Sequence, residues 1–175
     1  METVLLIFVI ISILAFIFVL VNNKFQLTII KLDKAEEDID IYLEKKKELL
    51  SRTIPIVKKE LKTKEFMENL ENYNDDLNNF EKHNFLKSNY NELFKTIDEN
   101  EKLMKSNSLM KILEELNSNE EDIVGAIKYY NDSVVEFNQL VVSFPSNILA
   151  LFKRYKKLDF YNNEKREIFE ILNKK

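Results

Sequence analysis

The sequence predicts an all-α protein, in which one N-terminal transmembrane helix precedes an antiparallel, four-helix type bundle of two long and two short helices. Three observations support this prediction. The 175 residues include one Gly and two Pro, whereas β-rich folds need turn residues at regular intervals. Residues 4–21 are apolar except for Ser12. From Phe25 onward, apolar residues recur mostly at steps of three and four, which is the spacing of amphipathic helices.

The N-terminal apolar run is long enough to cross a bilayer, since eighteen helical residues span roughly 27 Å and the hydrocarbon core is about 30 Å thick. The start, Met-Glu-Thr, is not basic, and no small-residue cleavage site follows Val21. We therefore expect a retained anchor, not a cleaved signal. The alternative is a buried core helix, but such helices seldom lack charges over this length. The predicted membrane-spanning residues are Val4, Leu5, Leu6, Ile7, Phe8, Val9, Ile10, Ile11, Ser12, Ile13, Leu14, Ala15, Phe16, Ile17, Phe18, Val19, Leu20 and Val21.

The basic residues around this run predict its orientation. No Lys or Arg precedes it, and Lys24, Lys31 and Lys34 follow it. Because the flank richer in Lys and Arg tends to stay in the cytoplasm, we expect the N-terminus outside and the body in the cytoplasm. The opposite orientation remains an alternative. The formal net charge of −4 does not favour a nucleic-acid partner.

Four helices are predicted in the body. A long first helix follows the anchor, with a kink or break near Ser51 because Pro55 removes a backbone donor and clashes with the preceding turn. A second helix is predicted over 66–80, with a linker at 81–84, and a third helix over 86–104. A long fourth helix is predicted over 109–144 and ends at Pro145.

Two further helices are predicted after Pro145, over 146–157 and over 162–175. The chain thus divides into an N-terminal tip and transmembrane helix (1–23), a helical bundle (24–145), and a basic amphipathic segment with a C-terminal helix (146–175). Short connections make successive helices antiparallel. The fourth helix should therefore return along the first and bring the segment after Pro145 back to the base of the anchor.

That basic segment is the candidate contact surface. Ile148, Leu151, Phe152 and Tyr155 lie at helical spacing, and the candidate lipid or partner contacts beside them are Lys153, Arg154, Lys156 and Lys157. Such a helix can lie in a membrane interface, with its cations attracted by anionic lipid. Alternatively, its apolar face packs on the first helix around Leu27 and Ile30. The two interpretations can hold together.

No catalytic, cofactor-binding or metal-binding residues are predicted. The acidic clusters 36–40 and 120–122 are typical of the solvated face of a charged helix, and His83 is the only histidine. Gly125 is the only glycine and there is no cysteine, which excludes a glycine-rich phosphate loop and thiol chemistry. Asn131 and Asn138 lie seven residues apart and could fix helix register through hydrogen bonds across helices. Their alternative role is a partner-binding strip.

The sequence around the end of the fourth predicted helix resembles the LemA family of bacterial membrane proteins. The shared pattern there is Tyr130-Asn131, Val134, Phe137-Asn138 and Phe144-Pro145. Upstream, the similarity includes Ala35, Ile39-Asp40-Ile41, Leu43, Lys45-Lys46 and Leu49, and in the middle Leu103, Lys105 and Asn107. The family's Leu-Ile-Pro-Asn-Leu segment is replaced by Leu49-Leu50-Ser51-Arg52-Thr53, with the proline one turn later.

The resemblance implies a single N-terminal span, an outside N-terminus and a cytoplasmic helical bundle in the bacterial cell membrane, without established catalytic residues. The function we expect is a non-enzymatic, membrane-anchored scaffold or interaction protein that binds a partner protein and the anionic membrane surface. Two alternatives are an accessory or regulatory subunit of a membrane protease and a self-assembling, membrane-organising protein. Homo-oligomerisation is compatible with each of these functions.

Overall fold

The computed structural model describes residues 1–73 and 77–161. Within these residues the chain forms helices and no strands, which confirms the predicted all-α fold. An apolar N-terminal helix leads into a helical body. The predicted helix over 162–175 lies outside the described residues. The α-helices are α1 (Glu2–Leu61), α2 (Asn79–Asp98), α3 (Asn107–Val142) and α4 (Ser146–Lys153), and 3₁₀ turns occur at Glu68–Asn72 and Leu103–Lys105.

The anchor and the first body helix form one continuous helix, α1, of 60 residues. Pro55 lies inside α1, and the break that the sequence predicted near Ser51 does not occur. The lost backbone hydrogen bond costs about 3 kcal/mol in a helix interior. Leu50 and Val57, on either side of the proline, are both fully buried. Their packing stabilises the helix through Pro55.

The predicted second helix over 66–80 is wrong. The structure has a 3₁₀ turn at Glu68–Asn72, and α2 begins only at Asn79. Asn78 is the N-cap of α2, because its side chain accepts from the Glu81 N–H at 3.0 Å and its own N–H donates to the Glu81 carboxylate at 3.2 Å. The predicted linker at 81–84 therefore lies in the first turns of α2. The sequence Asn-Asn-Phe-Glu carries this capping box.

Two compact units make up the chain. The anchor unit is Met1–Ala35 with Lys128–Lys175, and the body unit is Glu36–Ile127. In the body unit, α2 runs in the same direction as α1, since Asp40 pairs with Lys82 at 2.8 Å and Asn79 donates to the Glu36 carbonyl at 3.2 Å.

This parallel arrangement explains why the described part of the connection before α2 is not α-helical. From residue 36 to residue 61, α1 rises about 38 Å, whereas a 15-residue helix would return only about 22 Å. Non-helical chain covers up to about 3.3 Å per residue. The segment still supplies core side chains, because Phe66, Met67 and Leu70 are buried.

α3 runs antiparallel to α1 in the body unit and shares an ion pair with it. The Lys46 ammonium, on α1, contacts the Glu120 carboxylate of α3 and lies 4.7 Å from the centre of the Tyr90 ring of α2. The Lys46 side chain is 1% exposed and that of Glu120 is 27% exposed. Burial lowers the pKa of Lys46, and contact with Glu120 opposes that shift.

The Lys46–Glu120 pair gives a stability prediction. Glu120→Gln leaves the buried ammonium without a counter-charge, and we expect a loss of about 3 kcal/mol in the free energy of unfolding. The control is Glu115→Gln, which removes one of two carboxylates that pair with the half-exposed Arg52 and should cost less than about 1 kcal/mol. Denaturant unfolding of the full chain in detergent, followed by circular dichroism, measures both. Equal losses in the free energy of unfolding would show that the buried Lys46–Glu120 pair contributes no more to stability than an exposed pair does.

Candidate membrane-interface site

The site is built where α3 ends and the chain turns sharply into α4. The axis of α4 lies at 94° to that of α3, and Pro145 stands between the two helices. The turn is held by the Ser143 carbonyl, which accepts from the Asn147 N–H and from the Ser146 hydroxyl, both at 2.8 Å. The predicted stop at Pro145 is thus confirmed, and α4 starts at once after it.

The inner face of α4 packs on the base of α1. Leu149 and Ala150 are buried in one core cluster with Phe25 of α1 and Phe137 of α3. The Phe25 and Phe137 rings meet edge to face, with their centroids 5.7 Å apart. This packing confirms that the segment after Pro145 returns to the base of the N-terminal helix.

Tyr155 completes this cluster from beyond the end of α4. Its ring lies 5.0 Å from the Phe25 centroid and 5.6 Å from the Phe137 centroid. Arg154 makes the turn possible, because it adopts the left-handed conformation at φ 56° and lets the Tyr155 N–H bond to the Ala150 carbonyl at 2.9 Å. Tyr155 therefore packs inward, whereas Ile148, Leu151 and Phe152, which were predicted to share one apolar face with it, are exposed.

Two asparagines of α3 hold the segment that follows Tyr155. The Asn138 side chain donates to the Leu158 carbonyl at 2.9 Å and accepts from the Leu158 N–H at 2.8 Å. Asn131 accepts from the Tyr161 N–H at 2.9 Å. Both asparagines are nearly fully buried. The two asparagines hold a non-helical segment against α3, whereas the sequence predicted hydrogen bonds to another helix. Because their side chains are buried, they do not form the exposed partner-binding strip that was the alternative.

The outer face of α4 and the turn before it carry exposed apolar side chains. Phe144, Leu151 and Phe152 are each 80% exposed, and Ile148 is 50% exposed. The predicted packing surface at Leu27 and Ile30 is wrong, since both of these side chains are 61% exposed and α4 packs on Phe25 instead.

Lys153 connects α4 to the residue that follows the predicted span. Its ammonium donates to the Asn22 side-chain oxygen at 2.8 Å, and Asn22 follows Val21 directly. All four candidate contact cations, Lys153, Arg154, Lys156 and Lys157, have exposed side chains. The structure thus brings the basic cluster, the exposed apolar side chains and the end of the apolar run into one region of the anchor unit.

The apolar run itself is exposed from Val4 to Leu20, and Val21 at its end is partly buried against the core cluster. An apolar stretch of 18 residues in α1 has no buried residue. Among the described helices, α1 alone is long and apolar enough to cross a membrane by itself; α3 and α4 pass only together, with the 94° bend between them. An uncovered apolar helix of this length suggests membrane anchoring.

One ion pair lies further along α1 in the same unit. The Lys31 ammonium donates to the Glu136 carboxylate at 2.7 Å, and this hydrogen bond raises the pKa of Lys31. Within residues 1–73 and 77–161, no group of three or more His, Cys, Asp and Glu is placed to hold a metal ion. The outer face of α4 and the turn before it thus form an apolar surface with exposed cations at its edge.

These features define a class of helical protein with an N-terminal apolar helix suited to a membrane and an amphipathic turn at its base. The LemA family matches residues 35–171, and the chain belongs to that family. This is not a known enzyme family. No curated protein and no solved structure matches the chain.

Sequence reasoning identified the basic cluster but missed parts of the surface around it. Phe144 was predicted only as the last apolar residue of the fourth helix and as part of the family pattern, and Asn22 was not identified as a contact. A signal was present, because Phe144, Ile148, Leu151 and Phe152 follow the same three- and four-residue spacing across Pro145. Leu149 and Ala150 interrupt that stripe and mark the second, buried face of α4.

Proposed function

We propose that this protein is a non-enzymatic, membrane-anchored scaffold, held by residues 4–21 as a transmembrane helix and by α4 lying along the membrane surface. Its body unit binds a partner protein. The observation that carries the proposal is the apolar surface formed by the outer face of α4 and the turn before it, where Phe144, Leu151 and Phe152 are each 80% exposed. Three such side chains grouped at the end of an apolar helix are costly in water and favourable in a lipid interface.

The direction of α4 supports the same proposal. In the anchor unit α3 runs alongside α1, with contacts at Lys31–Glu136 and Phe25–Phe137. A helix turned 94° from α3 therefore crosses the axis of α1 and lies along a bilayer that α1 spans. The Lys153–Asn22 contact sets α4 at the depth where the predicted span ends.

Charge at the edge of α4 favours an anionic surface. Lys153, Arg154, Lys156 and Lys157 are exposed within five residues, and each cation near anionic lipid contributes on the order of 1 kcal/mol. With the N-terminus outside, as the lysines after the span favour, this surface is the cytoplasmic leaflet of the bacterial cell membrane. We therefore assign the body to the cytoplasm.

Single-cysteine variants test the placement of α4, since the chain has no cysteine of its own. The full chain is reconstituted in vesicles that contain anionic phospholipid and treated with a charged, membrane-impermeant maleimide. Leu151→Cys should react about tenfold more slowly than Val124→Cys, because the interface shields its thiol from water. Val124 is the matched control, being apolar and 62% exposed in the body unit. Equal reaction rates would contradict the proposed docking of α4.

A cysteine at Glu2 tests the orientation in intact bacterial cells. We expect the impermeant maleimide to label Glu2→Cys without permeabilisation, because the N-terminus lies outside, and to label Val124→Cys only after permeabilisation. The measurement is the labelled fraction of each variant before and after the membrane is opened. The reverse pattern would place the body outside the cytoplasm.

A further inference from the structure

A cleft lies in the anchor unit between the base of α1 and the turn that joins α3 to α4. Its volume is about 290 Å³, just below the range of roughly 300–1,000 Å³ for small-molecule sites. The apolar part of its lining is Val21, Leu140, Phe144 and Pro145, and the polar part is Lys24, Glu136, Gln139, Ser143 and Ser146.

Polarity in this cleft is graded along α1. Val21 ends the predicted span, and Lys24 stands three residues further on, about one helical turn from it. Glu136, on α3, pairs with Lys31 further still from the span. On the membrane side, the 80% exposed ring of Phe144 forms the rim. The cleft is therefore apolar where acyl chains would end and polar where headgroups would begin.

The charges of the cleft favour an anionic ligand over a cationic one. Because Glu136 already pairs with Lys31 at 2.7 Å, the exposed Lys24 gives the cleft a net positive charge. A phosphodiester suits that ammonium, and the Gln139 amide and Ser143 hydroxyl can bond to hydroxyl groups. A choline headgroup suits it less, since the one carboxylate is engaged and a quaternary ammonium needs several aromatic faces.

We propose that this cleft binds the headgroup of one anionic phospholipid of the phosphatidylglycerol type, with the phosphate at Lys24 and the headgroup hydroxyls at Gln139 and Ser143. The acyl chains lie along Val21 and Phe144. The inference rests on the proposed function, because the cleft lies at the depth of the lipid headgroups only when residues 4–21 span the bilayer. The proposal adds a defined lipid-binding site to a surface that is otherwise held at the membrane by non-specific hydrophobic and electrostatic attraction.

The test is native mass spectrometry of the full chain, released by mild detergent from vesicles of phosphatidylglycerol and phosphatidylcholine in equal parts. The wild type should retain one phosphatidylglycerol in preference to phosphatidylcholine by about fivefold or more. Ser143→Phe, which fills the cleft, should abolish the preference. Val142→Phe is the matched control, because Val142 is 40% exposed and lies outside the lining; it should behave as the wild type.

A second pair of variants keeps the test independent of how Ser143→Phe folds. Lys24→Gln should lower the preference to about twofold or less, whereas Lys34→Gln, at an exposed lysine of the same unit outside the cleft, should leave it unchanged. Preference retained in Lys24→Gln, or equal retention of both lipids by the wild type, would overturn the proposal. Displacement of the lipid by inorganic phosphate would overturn it too, since free phosphate would then be the ligand.

A second measurement distinguishes failure of the proposed membrane docking from failure of the lipid site in the cleft. The maleimide reaction of Leu151→Cys, measured in the same vesicles, reports whether α4 is shielded by lipid. If the Leu151→Cys thiol reacts rapidly while lipid selectivity still depends on Lys24, the docking of α4 is contradicted and the lipid site in the cleft is supported. If the thiol reacts slowly and the protein shows no lipid selectivity, the docking of α4 is supported and the lipid site is overturned.

Discussion

The contact between Phe25 and Phe137 is the interaction on which the membrane-proximal structure depends. Phe25 lies four residues beyond the predicted span and is fully buried, so the first available turn of α1 above the apolar run is used for packing. Its ring meets those of Phe137 and Tyr155 at centroid distances of 5.7 and 5.0 Å. Aromatic contacts of this kind contribute about 0.5–1.5 kcal/mol each beyond the area they bury. They hold α3 and the end of α4 at the foot of the span.

α4 is apolar on two faces, and this property connects its packing with its proposed role. Leu149 and Ala150 face the protein core, whereas Leu151 and Phe152 remain 80% exposed. One face is sufficient to hold a helix on a soluble domain, so the second face needs another apolar environment. A short helix with core on one side and lipid on the other fits both faces. Cations at its C-terminal end favour the anionic leaflet and also the helix dipole.

Much of the fold could be predicted from residue spacing, because the apolar run, the long helices and the stop at Pro145 each depend on local sequence. The region from Phe66 to Phe80 was mispredicted, because its apolar spacing fits a helix although the parallel placement of α2 requires a longer reach than a helix provides. The Asn78–Glu81 capping box was the local signal against that helix. At the site, the basic cluster was predictable, but the packing of Tyr155 on Phe25 and Phe137 was not, since it depends on the left-handed turn at Arg154. Spacing likewise could not show that Asn131 and Asn138 bond to the backbone of a distant segment.

The docking of α4 on the membrane surface can be measured as the depth of its outer face in a bilayer. The chain has no tryptophan, so Phe152→Trp in the full chain gives a single fluorescent probe on the outer face of α4, and Phe80→Trp, at a 50% exposed position of the body unit, gives the control. In vesicles that contain anionic phospholipid with brominated acyl chains, we expect blue-shifted and strongly quenched emission from the Phe152→Trp variant, and neither effect in the Phe80→Trp variant. Emission from the Phe152→Trp variant that is typical of water and unaffected by the brominated lipid would contradict the docking of α4 on the membrane.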